Sequence, residues 1–134
     1  MGLEKFVKQR REQLEELGLT QLKTKSDVED FIKKGSVLVF VNSVCGCTAN
    51  KAIPGLEKAL PDLAVVKIGT VFAGQDFDAT ETARENFKTE RSSPSFHLLK
   101  DGRYVGGVHR DDIRMSDPEK VKEHLKNLMK KVKV

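Results

Sequence analysis

Residues 37–41, Val-Leu-Val-Phe-Val, restrict the possible folds more than any other stretch of the sequence. The run is too short for a helix, is rich in β-branched side chains, and is bounded by Gly35 and Asn42. A strand without a polar face must be covered on both sides, so it is expected at the centre of a sheet with helices on either face.

The periodicity around it supplies those helices. Leu3, Phe6, Val7, Leu14 and Leu17 share one face of an opening helix that ends at Gly18. Residues 19–22 read as a short strand. Ser26 and Glu29 have capping-box spacing ahead of Val28, Phe31 and Ile32, with Gly35 closing that helix. Beyond the central strand, Ala52, Ile53, Leu56, Ala59 and Leu60 recur at helical spacing around a kinking Pro54. Residues 63–71 read as a strand, and Asp76 or Asp78 as the cap of a helix carrying Ala79, Ala83 and Phe87. Strand followed by helix, repeated, calls for parallel neighbours joined by crossovers.

The last third differs. Residues 95–99 and 103–108 are strand-like and are joined by Lys100, Asp101 and Gly102, a hairpin signal. Ser116, Asp117, Pro118 and Glu119 then start a terminal helix bearing Val121, Leu125, Leu128 and Val132. The expected fold is α/β: one thioredoxin-like domain over residues 1–134, with a mixed central sheet, flanking helices and an extra N-terminal helix.

Composition narrows the function. With 24 Lys and Arg against 20 Asp and Glu, the net charge of +4 is spread through the chain, so no nucleic-acid partner is expected. The Lys-rich C-terminal end reads as a solvated helix end. No apolar run approaches the roughly 18 residues of a membrane span, and the charged N-terminal stretch is unlike a secretory signal. Phe6 stands where a myristoylation signal after Gly2 wants Ser or Thr. The expectation is a cytoplasmic protein with no membrane partner.

The chemistry is expected at Cys45 and Cys47, the two cysteines of the chain, which lie where the central strand gives way to a helix. A free cysteine titrates near about 8.5, and the thiolate is the reactive form. The unpaired N–H groups of a helix start favour that form, and Lys51, a turn further on, adds positive charge if it is not simply solvated. Bridging residues two apart is demanding. Gly46 lacks a Cβ and can take positive φ to let the sulfurs meet, which points to a labile catalytic disulfide. In thioredoxin-like folds a cis-proline before the hairpin strand faces the redox cysteines. Pro94 opens that strand here, so Ser93–Pro94 is expected to be cis and to help hold the substrate's sulfur-bearing segment.

The segments NSVCGC at 42–47, TVFAGQD at 70–76 and SSPS at 92–95, in this order across nearly the whole chain, resemble the bacilliredoxins, thioredoxin-like proteins of bacteria that make bacillithiol. Pro54 also matches, whereas Thr48, Asn50 and Ile53 stand where that family often has Ala, Gly and Arg. The resemblance implies Cys45 as attacking thiol, Cys47 as resolving thiol and Pro94 as the cis-proline. It implies removal of bacillithiol from mixed disulfides on client proteins, with bacillithiol as co-substrate, no bound cofactor, and a separate recycling reductant. The carboxylates of that small thiol would suit the helix start and the bases Lys51, Arg91 or Arg110. Residues 72–76 form a shared motif, read locally as a strand end and helix cap.

Three alternatives remain open at the level of sequence. One is a general protein disulfide reductase or isomerase. Another is a metal site built on Cys-X-Cys with His97, His109 or His124, although these histidines lack paired ligand spacing, so no metal is expected. The third is a redox-regulated binding module without turnover.

Overall fold

The computed structural model of the chain describes residues 2–87 and 91–132. Helix α1 (Gly2–Glu16) leads into the short strand β1 (Thr20–Gln21), helix α2 (Lys25–Ile32) and the central strand β2 (Ser36–Asn42). A π-helical turn (Thr48–Ala52) runs into α3 (Ile53–Ala59) and a 3-10 turn (Leu60–Leu63). There follow β3 (Lys67–Phe72), α4 (Phe77–Glu85), the hairpin β4 (Ser95–Lys100) and β5 (Arg103–Val108), a short helix α5 (Arg110–Arg114), and α6 (Pro118–Met129). No described helix is long and apolar enough to cross a membrane.

The strands form one mixed sheet in the order β1-β3-β2-β4-β5, with β1, β3 and β2 parallel and β4 and β5 antiparallel. Strand β2 is central, and residues 37–41 are fully buried, as an all-apolar run requires. Its side chains alternate between two cores. Leu38 and Phe40, with Phe96 and Leu98 of β4, face Leu56 of α3 and Leu125 and Met129 of α6. Val37, Val39 and Val41 face Val28 and Phe31 of α2 and Ala79 and Ala83 of α4. The hairpin turns through Asp101 (φ 51°) and Gly102 (φ 81°), both left-handed, as a two-residue turn matched to strand twist demands.

Several local expectations are corrected. The capping box of α2 uses Thr24 and Asp27 rather than Ser26 and Glu29. Asp27 N–H donates to Thr24 Oγ1 (3.1 Å), and Thr24 N–H donates to Asp27 Oδ2 (3.2 Å). Strand β3 begins at Lys67 rather than residue 63, because Leu60–Leu63 continue the preceding helix as a 3-10 turn. Pro54 does not simply kink its helix. Proline has no N–H to offer the carbonyl of Asn50, and the helix before it takes one extra residue per turn, with Ile53 N–H donating to Thr48 O. Helix α5 was not anticipated at all. On α1, Val7, Arg10 and Leu14 are buried, but Leu3 and Phe6 lie at the exposed end of the stripe.

Helices α3 and α6 cross at Gly55, where a Cβ would overlap the Val121 side chain and lie 3.0 Å from the Pro118 carbonyl. Since the far side of that contact is a second helix backbone, Gly55→Ala is expected to destabilise the fold by roughly 1–3 kcal/mol. Urea denaturation measures this; an unchanged midpoint would contradict the close crossing.

Candidate active site

The chain leaves β2 at Asn42 and enters its helix at Gly46, so Cys45 stands at the helix start and Cys47 in its first turn. Both are free thiols of intermediate exposure. A chain of hydrogen bonds fixes the connecting loop. Ser43 N–H donates to Asn42 Oδ1 (2.9 Å), Cys45 N–H to Ser43 Oγ (3.3 Å), and Thr48 N–H to Cys45 O (3.0 Å). The Ser43 and Thr48 hydroxyls share a bond of 2.9 Å.

This loop is gripped from outside. Arg10 of α1, 5% exposed, donates through Nη1 to Ser43 O (3.1 Å) and Asn42 Oδ1 (3.5 Å), and its guanidinium lies 4.7 Å from the Phe6 ring. Burial lowers its pKa from the ordinary arginine value, yet guanidinium remains charged in proteins. Its neighbour Arg11 clamps Asp76 with two bonds of 2.9 and 3.0 Å and lies 5.2 Å from the Phe72 ring. The 72–76 motif is therefore a socket for α1. Asp76 occupies the N-cap position of α4, but its carboxylate makes no cap bond and goes to Arg11 instead.

The Cys45 thiol is lowered from its ordinary value, first by the backbone N–H of Cys47 donating to its sulfur. The Cys47 thiol, then the charge and side-chain donor of Arg110, act in the same direction, while burial opposes them. Arg110 opens α5, the helix not anticipated from sequence. Of the three bases expected near the thiols, Arg110 reaches Cys45. Lys51 Nζ donates to the Arg114 carbonyl at the other end of α5, and Arg91 pairs with Glu81 on α4. Gly46 does not use positive φ in this dithiol state, and a Cβ there would meet nothing closer than Asn50 Nδ2 at 3.9 Å.

The Ser93–Pro94 peptide is cis, and Pro94 is buried. Val41 pairs with Ser95, so one further step of the antiparallel register sets Pro94 beside Asn42, at the root of the cysteine loop. The proline loop has its own brace. Ser95 Oγ donates to Ser92 O (2.9 Å), so the 2.8 Å contact with His97 Nε2 is donated by the ring. His97 Nδ1 then accepts from the Tyr104 hydroxyl (3.1 Å). Burial, then the charges of His109 and Arg84, pushes His97 down to about 3, and burial raises Tyr104 to about 12, so both are neutral near pH 7. His97 stacks on Phe87 with 3.8 Å between centroids, and His109 lies 5.6 Å away. Among the described residues, no three His, Cys, Asp or Glu side chains gather as a metal site.

Sequence reasoning missed Arg10, Arg11 and Asp76 as supports of the site. The available signal was a pair of arginines on the inner stripe of α1 opposite an acidic residue in a motif of unassigned role.

The chain matches the Disulphide isomerase family over residues 3–132. It is 42% identical over 128 residues to a bacilliredoxin of Staphylococcus aureus (strain NCTC 8325 / PS 47), covering 93% of this chain and 88% of the relative. It is 44% identical over 130 residues to a bacilliredoxin of Geobacillus kaustophilus (strain HTA426), covering 92% and 87%. Among solved structures it is similar to oxidized mitochondrial thioredoxin 3 from Saccharomyces cerevisiae (TM-score 0.62, 17% identity, covering 84% of this chain and 94% of that one). A thioredoxin from Trypanosoma brucei brucei is equally similar (TM-score 0.62, 16% identity, 84% and 91%). These last two likenesses establish the thioredoxin fold.

The lowered Cys45 thiol sets a pH dependence. Alkylation proceeds through thiolate, so its rate rises with pH through the thiol's pKa. Half the plateau is therefore expected below the value of a free cysteine, about 8.5. Arg110→Ala removes one of the stabilising charges and is expected to move that midpoint upward. Iodoacetamide labelling of Cys47→Ala protein, followed by mass, reads both; a midpoint at the free-cysteine value would contradict the geometry.

Proposed function

The chain belongs to the bacilliredoxin family and is a thiol-disulfide oxidoreductase, and from that premise we propose that it removes bacillithiol from mixed disulfides on client proteins. The observation that carries the proposal is the Cys45 thiol at the helix start, lowered by the Cys47 N–H and faced by Arg110.

In this reading the Cys45 thiolate attacks the bacillithiol sulfur of the mixed disulfide. A bond forms between Cys45 Sγ and that sulfur, the old S–S bond breaks, and the client leaves as a thiolate that takes a proton from water. The Cys47 thiolate then attacks Cys45 Sγ, forming the internal disulfide and releasing bacillithiol. A second small thiol can release the cap from Cys45 instead, giving a symmetric small-molecule disulfide. The oxidised enzyme returns to the dithiol through a separate reductant of two electrons and two protons. The backbone beside Pro94, next to the root of the cysteine loop, suits the sulfur-bearing segment of the substrate, with Ser93 and Gly46 leaving that approach open. Arg110 and, at the other end of α5, Lys51 supply positive charge for the cap's carboxylates. Such chemistry belongs to the cytoplasm, where small thiols are kept reduced.

The match to the Disulphide isomerase family favours a second reading, reduction or reshuffling of disulfides within proteins. One experiment separates the two. Reduced wild type, Cys45→Ala and Cys47→Ala are each mixed with a bacillithiol-capped protein, a glutathione-capped protein and a protein with a scrambled internal disulfide, and followed by mass. Expected are capture of the bacillithiol cap by Cys47→Ala, an internal disulfide in wild type, no reaction of Cys45→Ala, and about tenfold or more preference for bacillithiol over glutathione. Equal use of both caps would remove bacillithiol as the particular substrate. Reaction with the scrambled protein alone would replace the proposal with the second reading.

A further inference from the structure

Six large apolar side chains are exposed among the described residues: Leu3, Phe6, Val44, Val65, Phe77 and Met115. Apolar residues scattered singly over a surface are ordinary, so their placement decides what they mean. Val65 precedes β3, at the end of the sheet away from the thiols. The other five stand at the thiol end and come from four separate segments. Val44 is the residue before Cys45. Phe77 opens α4 beside Asp76, and the loop before it is tied to the end of β2 by Ala73 N–H donating to Asn42 O (2.9 Å). Met115 caps the C-terminus of α5, the helix whose Arg110 faces Cys45. Leu3 and Phe6 lie one turn apart on α1.

The Phe6 ring lies 4.7 Å from the Arg10 guanidinium, which donates to Ser43 O at 3.1 Å. One cation therefore separates Phe6 from the loop that carries Val44 and Cys45, and Leu3 extends the same surface outward. Leu3 is 56% exposed and Val44 51%. Helix α1 does not use Leu3 and Phe6 to hold its place, since its buried apolar residues are Val7 and Leu14. Aromatic residues, Met and Arg gathered on one exposed face are the composition of a surface that takes up another protein, and here a reacting thiol stands among them.

We infer that Leu3, Phe6 and Val44 form a docking shelf for an apolar segment of the client protein next to its capped cysteine, with Phe77 and Met115 at the borders. This deepens the function proposed above and rests on its premise that Cys45 meets a disulfide on a protein, whatever the cap. The occupant follows from position and reach. Leu3 stands seven residues before Arg10, about 10 Å along the helix, which about three extended residues of a client span and a small thiol at the sulfur does not. The state of the client follows from packing. Cysteine is among the most buried of residues, and a close-packed core has no room for a cap on its sulfur. A client capped at such a cysteine keeps that segment unfolded, with its apolar neighbours exposed. The shelf thus selects capped cysteines in unfolded apolar segments over those on folded, polar surfaces, and the N-terminal helix that positions the thiol loop also reads the client.

The test uses two peptides of equal length and net charge, one with its cysteine flanked by Leu, Phe and Val, the other by Ser, Gly and Gln. Each is capped with bacillithiol and, separately, with glutathione, and single-turnover rate constants with the reduced full-length chain are followed by mass. Both peptides meet the same thiol, so the ratio of their rates cancels any change in Cys45 itself. Wild type is expected to favour the apolar peptide about tenfold with either cap, and Leu3→Ser and Phe6→Ser each to lose most of that ratio. Phe6→Leu, which keeps an apolar side chain, is expected to retain it, as is Val65→Ser at the far end of the sheet, with thermal melts reporting whether each variant is folded. Equal rates for the two peptides in wild type, or an unchanged ratio in folded Leu3→Ser and Phe6→Ser, would overturn the shelf and leave the preference between caps, and the proposed function, standing. An equal loss in Val65→Ser would also overturn it. A retained peptide preference with equal use of both caps would support the shelf and overturn bacillithiol as the particular substrate. A wild type that sediments as a dimer and becomes monomeric in Leu3→Ser would give the shelf to a second copy and overturn the client reading.

Discussion

The cysteine loop is held by an arginine buried in the protein with no carboxylate among the described residues to meet it. Taking a guanidinium out of water costs several kcal/mol, and Arg10 offsets this with a carbonyl, an amide oxygen and an aromatic face. What it grips explains why the cost is tolerated. Asn42 Oδ1 also receives the Ser43 N–H, and the Ser43 hydroxyl receives the Cys45 N–H, so one cation on α1 anchors the relay that orients the thiol. Arg11, one residue on, locks the same helix to Asp76 beyond β3. The N-terminal helix is thereby part of the site's frame, joined to the ends of both parallel strands that border it.

Within that frame the thiol is activated at short range. The leading contribution is a neighbouring peptide N–H, that of Cys47, and the arginine charge adds to it against burial. A backbone donor keeps its place only while the helix start keeps its shape. The π turn at Thr48–Ala52 is part of that shape, because Pro54 leaves Asn50 without its usual backbone donor and the helix takes an extra residue per turn between the cysteines and α3. Cys47 stands at the N-cap of this turn, and its N–H is the leading donor to the Cys45 sulfur. On the other side, the neutral Tyr104–His97–Ser95 chain braces the proline loop.

What the sequence revealed, and what it hid, follows the range of the interactions. The central strand was legible because five apolar residues in succession admit few other solutions, and the hairpin because Asp101 and Gly102 tolerate left-handed backbone. The cysteine pair was legible because it interrupts a strand-to-helix junction. The capping box was displaced by two residues because Thr24–Asp27 and Ser26–Glu29 both satisfy the same spacing. The start of β3 was misplaced because Leu63, Ala64, Val65 and Val66 are apolar in either a helical turn or a strand. The bonds of Arg10 to the cysteine loop and of Arg11 to Asp76 span 32 to 65 residues of sequence, and the position of the two arginines on α1 does not by itself name such distant partners. Helix α5, five residues long, carries Ile113 as its buried apolar residue, too little for periodicity to register.

The central claim is that the N-terminal helix positions the nucleophile through Arg10. The most direct measurement is the plateau rate of Cys45 at high pH, where the thiol is fully ionised and only its presentation matters, toward a bacillithiol-capped protein and toward iodoacetamide, in wild type, Arg10→Lys and Arg10→Ala, each first shown to be folded by urea denaturation. The expected result is a plateau about ten- to a hundredfold lower in Arg10→Ala for transfer of the cap from the bulky capped protein, with partial rescue in Arg10→Lys and a smaller loss toward iodoacetamide. Equal plateaus in folded wild type and Arg10→Ala, for both reagents, would show that the loop holds its shape without the arginine and would contradict the account.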